Sequence, residues 1–163
     1  MAASPTNREF ARASLLTVAV WLGVWSLAPA ETLDAKLWYP VTLPPRLLAD
    51  LGESGREAYL VTALADLMLI AAYTRWLWMW SRRRRAPRWL QGRVWLAPGT
   101  FDLIETSGVL VMLGAFPDPV SAVTTFVTVA TPFKWASAMG LVLGSVATMW
   151  HRRRTRASEE LAS

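Results

Sequence analysis

Asp66, Asp102, Glu105 and Lys134 each lie inside a stretch of apolar residues long enough to cross a bilayer. A central Asp or Lys costs about 2.5–3.5 kcal/mol on insertion scales. Such residues therefore face a bundle interior or a wet cavity, and they mark either a working site or a structural ion pair. Asp102 and Glu105 stand three apart and share one helix face. Three carboxyls meet one deep cation, Lys134. Arg75 is a second cation that either pairs with Asp102 or extends to the headgroups. If every group were ionised the core would carry excess negative charge, so one carboxyl is expected to hold a proton. A carboxyl near neutrality is the usual equipment for acid/base work or proton transfer. Glu105 and Asp66 are the candidate acid/base groups or polar contacts. Asp102, Lys134 and Arg75 are the candidates for ligand binding or for orienting the other two. The competing expectation is that Asp66 with Lys134, and Arg75 with Asp102, are ion pairs that fix helix register.

Other chemistries are excluded or disfavoured. The chain has no Cys, which removes thiolate catalysis, disulfide exchange and Cys-ligated metal. Its one His, His151, stands beside an Arg run, so haem ligation by paired histidines and a Ser-His-Asp arrangement are both absent. Carboxylates alone could hold Mg²⁺ or Ca²⁺, but Lys134 among them opposes a cation site. No metal and no cofactor is expected.

The elements that must position these residues are membrane spans. Hydrophobic residues make up 53% of the 163, and charged residues only 18%, against about 25% in soluble domains. The charges also fall in runs between apolar stretches. Four such stretches cover about residues 13–30, 59–80, 94–116 and 120–150. The last is longer than a span needs and contains Pro132, which predicts a kink there or a span limited to about 128–150. Arg8 and Arg12, the first apolar run and Ala28-Pro29-Ala30 together resemble a signal peptide, but the run exceeds a typical signal core, which favours a retained helix.

Arg residues dominate the 81–93 loop (Arg82 to Arg85, Arg88, Arg93) and the tail (Arg152 to Arg154, Arg156), while the 31–57 loop carries Glu31, Asp34, Asp50, Glu53 and Glu57. Both termini and the Arg-rich loop are therefore expected on the cytoplasmic side, with the 31–57 loop and the 117–119 turn outside. The net charge of +5 is read as this topology signal plus attraction to anionic lipid, not as nucleic-acid binding.

At 1.5 Å per residue from the cytoplasmic ends, Asp66 lies about 21 Å up, Glu105 about 16 Å, Asp102 about 12 Å and Lys134 about 24 Å. The charges should gather between the second, third and fourth spans. In the outer loop, residues 43–51 are expected to form a short amphipathic helix on the membrane surface, ended by Gly52 and Gly55. Trp76, Trp78 and Trp80 are expected to form an interfacial belt. Ala136, Gly140, Gly144 and Thr148 form a small-residue ladder that should seat another helix of the same chain, with dimerisation as the lesser reading.

Leu51-Gly-Glu-Ser-Gly-Arg-Glu-Ala-Tyr-Leu60, Asp66, Phe101-Asp-Leu-Ile-Glu-Thr106 and Thr131-Pro-Phe-Lys134, in this order, resemble a widespread family of four-helix bacterial membrane proteins of unassigned activity. The resemblance covers residues 51–135 and implies that architecture and a polar set at Asp102, Glu105 and Lys134. Thr106 departs from it, because Asn is usual after the Glu. A looser fold-level likeness is to the EXPERA superfamily of sterol isomerases and sigma-2-type receptors, which implies a lipid-accessible pocket above buried carboxylates.

Together these features predict an all-α, single-domain, four-helix bundle over residues 1–163 in a bacterial cytoplasmic (inner) membrane. It is expected to bind a hydrophobic, lipid-like molecule; acid/base conversion of that ligand is the further step the carboxyls allow. The alternative is a non-catalytic assembly subunit of a larger membrane complex. Membrane lipids, a hydrophobic small molecule and a homodimer or larger complex are the expected partners.

Overall fold

A computed structural model describes residues 5–28, 31–33, 35–83, 87–118 and 120–162, with side chains at 91, 152, 153 and 155–162 not included. Pro29, Ala30, Asp34, Arg84, Arg85 and Pro119, on which parts of the signal-peptide, loop-charge and turn expectations fall, lie outside the described residues. So do the side chains of Arg152, Arg153 and Arg156. The described residues are helical or irregular, without strands. The helices are α1 (Asn7–Leu27), α2 (Leu43–Asp50), α3 (Gly52–Ser81), α4 (Ala97–Ala115) and α5 (Ser121–Ala162), with 3₁₀ turns at Arg88–Gln91 and Val94–Leu96. Four segments are long and apolar enough to cross a membrane: Asn7–Leu27, Gly52–Ser81, Val94–Ala115 and Ser121–His151.

Local chemistry sets the boundaries. α1 opens on a capping box, in which the Glu9 amide donates to Thr6 Oγ1 at 3.2 Å and the Thr6 amide to Glu9 Oε2 at 2.7 Å. α4 carries Pro98 in its first turn, where the missing N–H costs nothing. Gly52 adopts φ +68°, a left-handed conformation that suits glycine, and separates α2 from α3.

α5 runs unbroken through Pro132 for 42 residues. Of the two expectations for Pro132, a helix limited to about 128–150 is not seen: the apolar segment Ser121–His151 is one continuous helix. Serine and threonine hydroxyls along α5 bond carbonyls one turn back, as at Thr124, Thr128 and Ser145, so they present no open donors to lipid.

The packed neighbours are α1 with α3, α3 with α4, and α4 with α5. At one end Arg83 donates to Asn7 Oδ1 at 2.8 Å, and the fully buried Leu90 joins Leu77 and Leu141. This is the Arg-rich end. The opposite, loop end is closed by chain 31–51. There Leu33 and Tyr39, together with Leu47 and Leu48 of α2, enter one core with Tyr59, Ala63, Val109, Met112 and Val127. The expected amphipathic helix exists, but its apolar face is covered by the bundle, not laid on lipid.

Two further expectations are modified. Trp76 and Trp80 turn inward, and only Trp78 of that cluster is exposed. In the small-residue ladder, Gly144 faces the Trp89 indole of the first 3₁₀ turn, whereas Gly140 has open space beside it. The close helix approach lies elsewhere. A Cβ at Gly108 on α4 would collide with Val127 of α5.

Valine is stiff at χ1 and cannot swing away. Gly108→Ala should thus lower stability by about 1–3 kcal/mol through overpacking. Gly114→Ala on the same helix has open space and should be neutral or stabilising. Thermal unfolding in detergent checks this. Equal melting of the two variants would show that the Gly108 crossing is not tight.

Candidate functional site

α4 and α5 place the charged residues on facing turns. Asp102 and Glu105 share the α4 face toward α5, and Lys134 reaches back between them. Its Nζ lies 3.0 Å from Asp102 Oδ1 and also pairs with Glu105 Oε2. All three are buried, and Glu105 has no exposed surface. An ammonium held between two carboxylates needs no water to neutralise it, which is the condition for surviving in a low dielectric.

α3 adds two groups. The Tyr73 hydroxyl donates to Asp102 Oδ2 at 2.8 Å. Asp66, one helix face with Tyr73 and half-buried, accepts from the Thr106 hydroxyl at 2.8 Å. Thr106, the position that departs from the resemblance, thus serves Asp66 and not Glu105. On the far side of Glu105, Thr131 of α5 and Tyr39 of the outer loop complete its shell. The Thr131 hydroxyl bonds Glu105 Oε1 and lies 3.0 Å from the Tyr39 hydroxyl, which is itself 3.4 Å from Glu105 Oε1.

These groups border a cavity of about 720 Å³, within the range of about 300–1,000 Å³ usual for ligand pockets. It fills the space between α1 and α5, over α3 and α4. Its walls are apolar and aromatic, with Trp21 and Trp25 from α1, Trp76 and Trp80 from α3, and Trp135 from α5. Its polar wall is Asp66, Asp102, Lys134, Tyr73 and Thr62. Leu77 and Leu141 border it toward the Arg-rich end, and Thr32 and Ala35 toward the loop end.

The sequence-derived candidates separate into three positions. Asp66, Asp102 and Lys134 face the cavity. Glu105 stands behind Lys134 and does not line it. Arg75 is exposed and belongs to no ion pair among the described residues, so Asp102 takes Lys134 and Tyr73 as partners instead. His151 is exposed beyond the span. Among the described residues no group of His, Cys, Asp and Glu has the arrangement of a metal site.

Sequence reasoning did not single out Tyr39 or Tyr73, and it quoted Thr131 only as the first residue of the Thr131-Pro-Phe-Lys134 motif, without a role. Tyr73 is seven residues after Asp66, two helical turns along one face, and Thr131 is three before Lys134, so both had a periodicity signal. Tyr39 had none, because a loop has no period. No family model, curated protein or solved structure matches the chain.

Removing one partner of a buried pair costs about 3–5 kcal/mol, because the remaining charge stays buried. Lys134→Met should therefore destabilise strongly, whereas the triple variant Lys134→Met, Asp102→Asn, Glu105→Gln should recover most of the loss. Denaturant unfolding in micelles compares them. A triple variant no more stable than Lys134→Met alone would refute the pairing.

Proposed function

We propose that the protein binds a hydrophobic, lipid-like molecule within the membrane, with the ligand's polar end against Asp66, Asp102 and Lys134 and its apolar body along the tryptophans. The observation that carries this reading is the cavity itself, whose volume is ligand-sized and whose apolar walls converge on one polar patch. The patch combines a carboxyl pair, an ammonium and a phenol, so it can exchange a proton with a bound polar group as well as hold it.

The likeness to the four-helix bacterial family supports the architecture. The excess of Arg in the described part of the 81–93 loop supports a cytoplasmic membrane location, with both termini on the cytoplasmic side. Access is from the bilayer, between α1 and α5, because that is where the cavity lies.

Purification in a mild detergent followed by mass spectrometry of the organic extract should find a hydrophobic molecule bound to the wild type. Ala138→Trp places an indole in the cavity and should abolish it. Asp66→Asn and Asp102→Asn each alter a charge-assisted contact worth about 1.5–3 kcal/mol and should weaken retention about tenfold or more. An Ala138→Trp protein that carries the same molecule at the same level would end the proposal.

A further inference from the structure

The polar patch sits toward one end of the cavity. On α5 the wall begins at Lys134 and continues through Ala138, Val142 and Val146 to Met149, and on α3 it continues from Asp66 through Leu69 and Leu77 to Trp80. At 1.5 Å per residue each stretch covers about 21–22 Å toward the Arg-rich end. That exceeds one leaflet's share of the hydrocarbon core, about 15 Å. The hydroxyls along it are already committed, because Ser145 donates to the Leu141 carbonyl at 2.6 Å and Tyr73 to Asp102 Oδ2 at 2.8 Å. Toward the other end Thr32 and Ala35 of the outer loop close the space. The Trp135 indole, next along α5 from Lys134, fastens that loop by donating to the Lys36 carbonyl at 3.1 Å.

The charge of the patch has one sign. Asp66 and Asp102 face the cavity, and Lys134, the single cation among the described wall residues, is shared between Asp102 and Glu105. Three carboxyls against one ammonium leave the patch net negative even with one carboxyl protonated. A phosphate or carboxylate head would add like charge in a low dielectric, whereas a head that donates hydrogen bonds meets carboxylate acceptors.

We infer that the cavity selects long-chain amphiphiles whose head donates hydrogen bonds and carries no negative charge, a hydroxyl or an amine, and holds them with the head beneath the outer loop and the chain pointing to the Arg-rich end. This rests on the proposed binding of a lipid-like molecule in the cavity and adds its head chemistry and its direction. Asp66 and Asp102 are the acceptors that select the head, and Lys134 holds Asp102 in place. The chain crosses the bilayer midplane along α3 and α5, because the apolar stretch is longer than one leaflet. A phospholipid does not meet these terms. Its phosphate would have only the shared Lys134 among the charged wall residues as a cation partner.

Four probes with one chain and different heads test this: hexadecanol, hexadecylamine, hexadecanoate and hexadecyl phosphate. Native mass spectrometry of the full chain in detergent micelles reads what each leaves bound at equal concentration. Hexadecanol or hexadecylamine should be retained at least about tenfold more tightly than either anion, and the tighter of the two names the head. That probe, carrying a diazirine at the far end of its chain, should on irradiation label segments 76–80 or 142–149. Label absent from both segments overturns the direction. An anionic probe retained as well as the better of the other two, and expelled by Ala138→Trp, overturns the head assignment while the binding reading stands. If no probe is retained, or Ala138→Trp retains them unchanged, the binding reading falls and this inference with it.

Discussion

The interaction on which the rest of the structure depends is Lys134 held between Asp102 and Glu105. In hydrocarbon there is no water to screen an unpaired charge, so these groups must find one another or not ionise. That requirement fixes α4 against α5 more sharply than apolar packing does, since lipid tails are as apolar as leucine and give no net drive for helices to associate. The glycine at 108, tight against Val127, lets the two backbones come close enough for the lysine to span both carboxyls. The register of α4 and α5 and the position of the polar patch are therefore one constraint.

From that pair the constraint extends outward in both directions. Toward α3 it passes through Asp102 to the Tyr73 phenol, and Thr106 ties the same two helices again at Asp66. Toward the loop end it passes through Glu105 to Thr131 and Tyr39, so a segment of the connecting loop becomes part of the core. The loop is pinned further by the Trp135 indole, which donates to the Lys36 carbonyl at 3.1 Å, and by the Leu33 amide, which donates to the Tyr59 hydroxyl at 3.1 Å. Each tie satisfies a polar group that burial would otherwise penalise.

The spans were legible because bilayer thickness imposes a length and excludes charge, and both leave marks in composition. Depth along the helices, a one-dimensional quantity that rise per residue supplies, brought Glu105 near Lys134 but left Asp102 about 12 Å below it. Which charge meets which did not follow, because that depends on helix rotation. Arg75 was at a plausible depth for Asp102 but is exposed, and Lys134 meets Glu105 and Asp102 where Asp66 had been the expected partner. Pro132 does not end the helix. A proline's lost hydrogen bond is tolerated inside a membrane helix, so α5 passes through it. Tyr39 was beyond reach, since a loop residue enters a core by tertiary folding alone.

The cavity bears on the role of α1. That helix contributes no buried residue and packs mainly on α3, being held by Ser14 to the Trp76 indole and by the Leu27 carbonyl to Thr62. The space is a half-open cleft and not a sealed void, so its surroundings can enter it, and in a bilayer the material at hand is hydrocarbon. A lipid tail meets the tryptophan walls at no penalty, but it offers nothing to Asp66, Asp102 and Lys134. An amphiphile that fills the apolar volume and also presents a polar group to that patch would satisfy both walls at once, and the proposed binding of a lipid-like molecule rests on this difference.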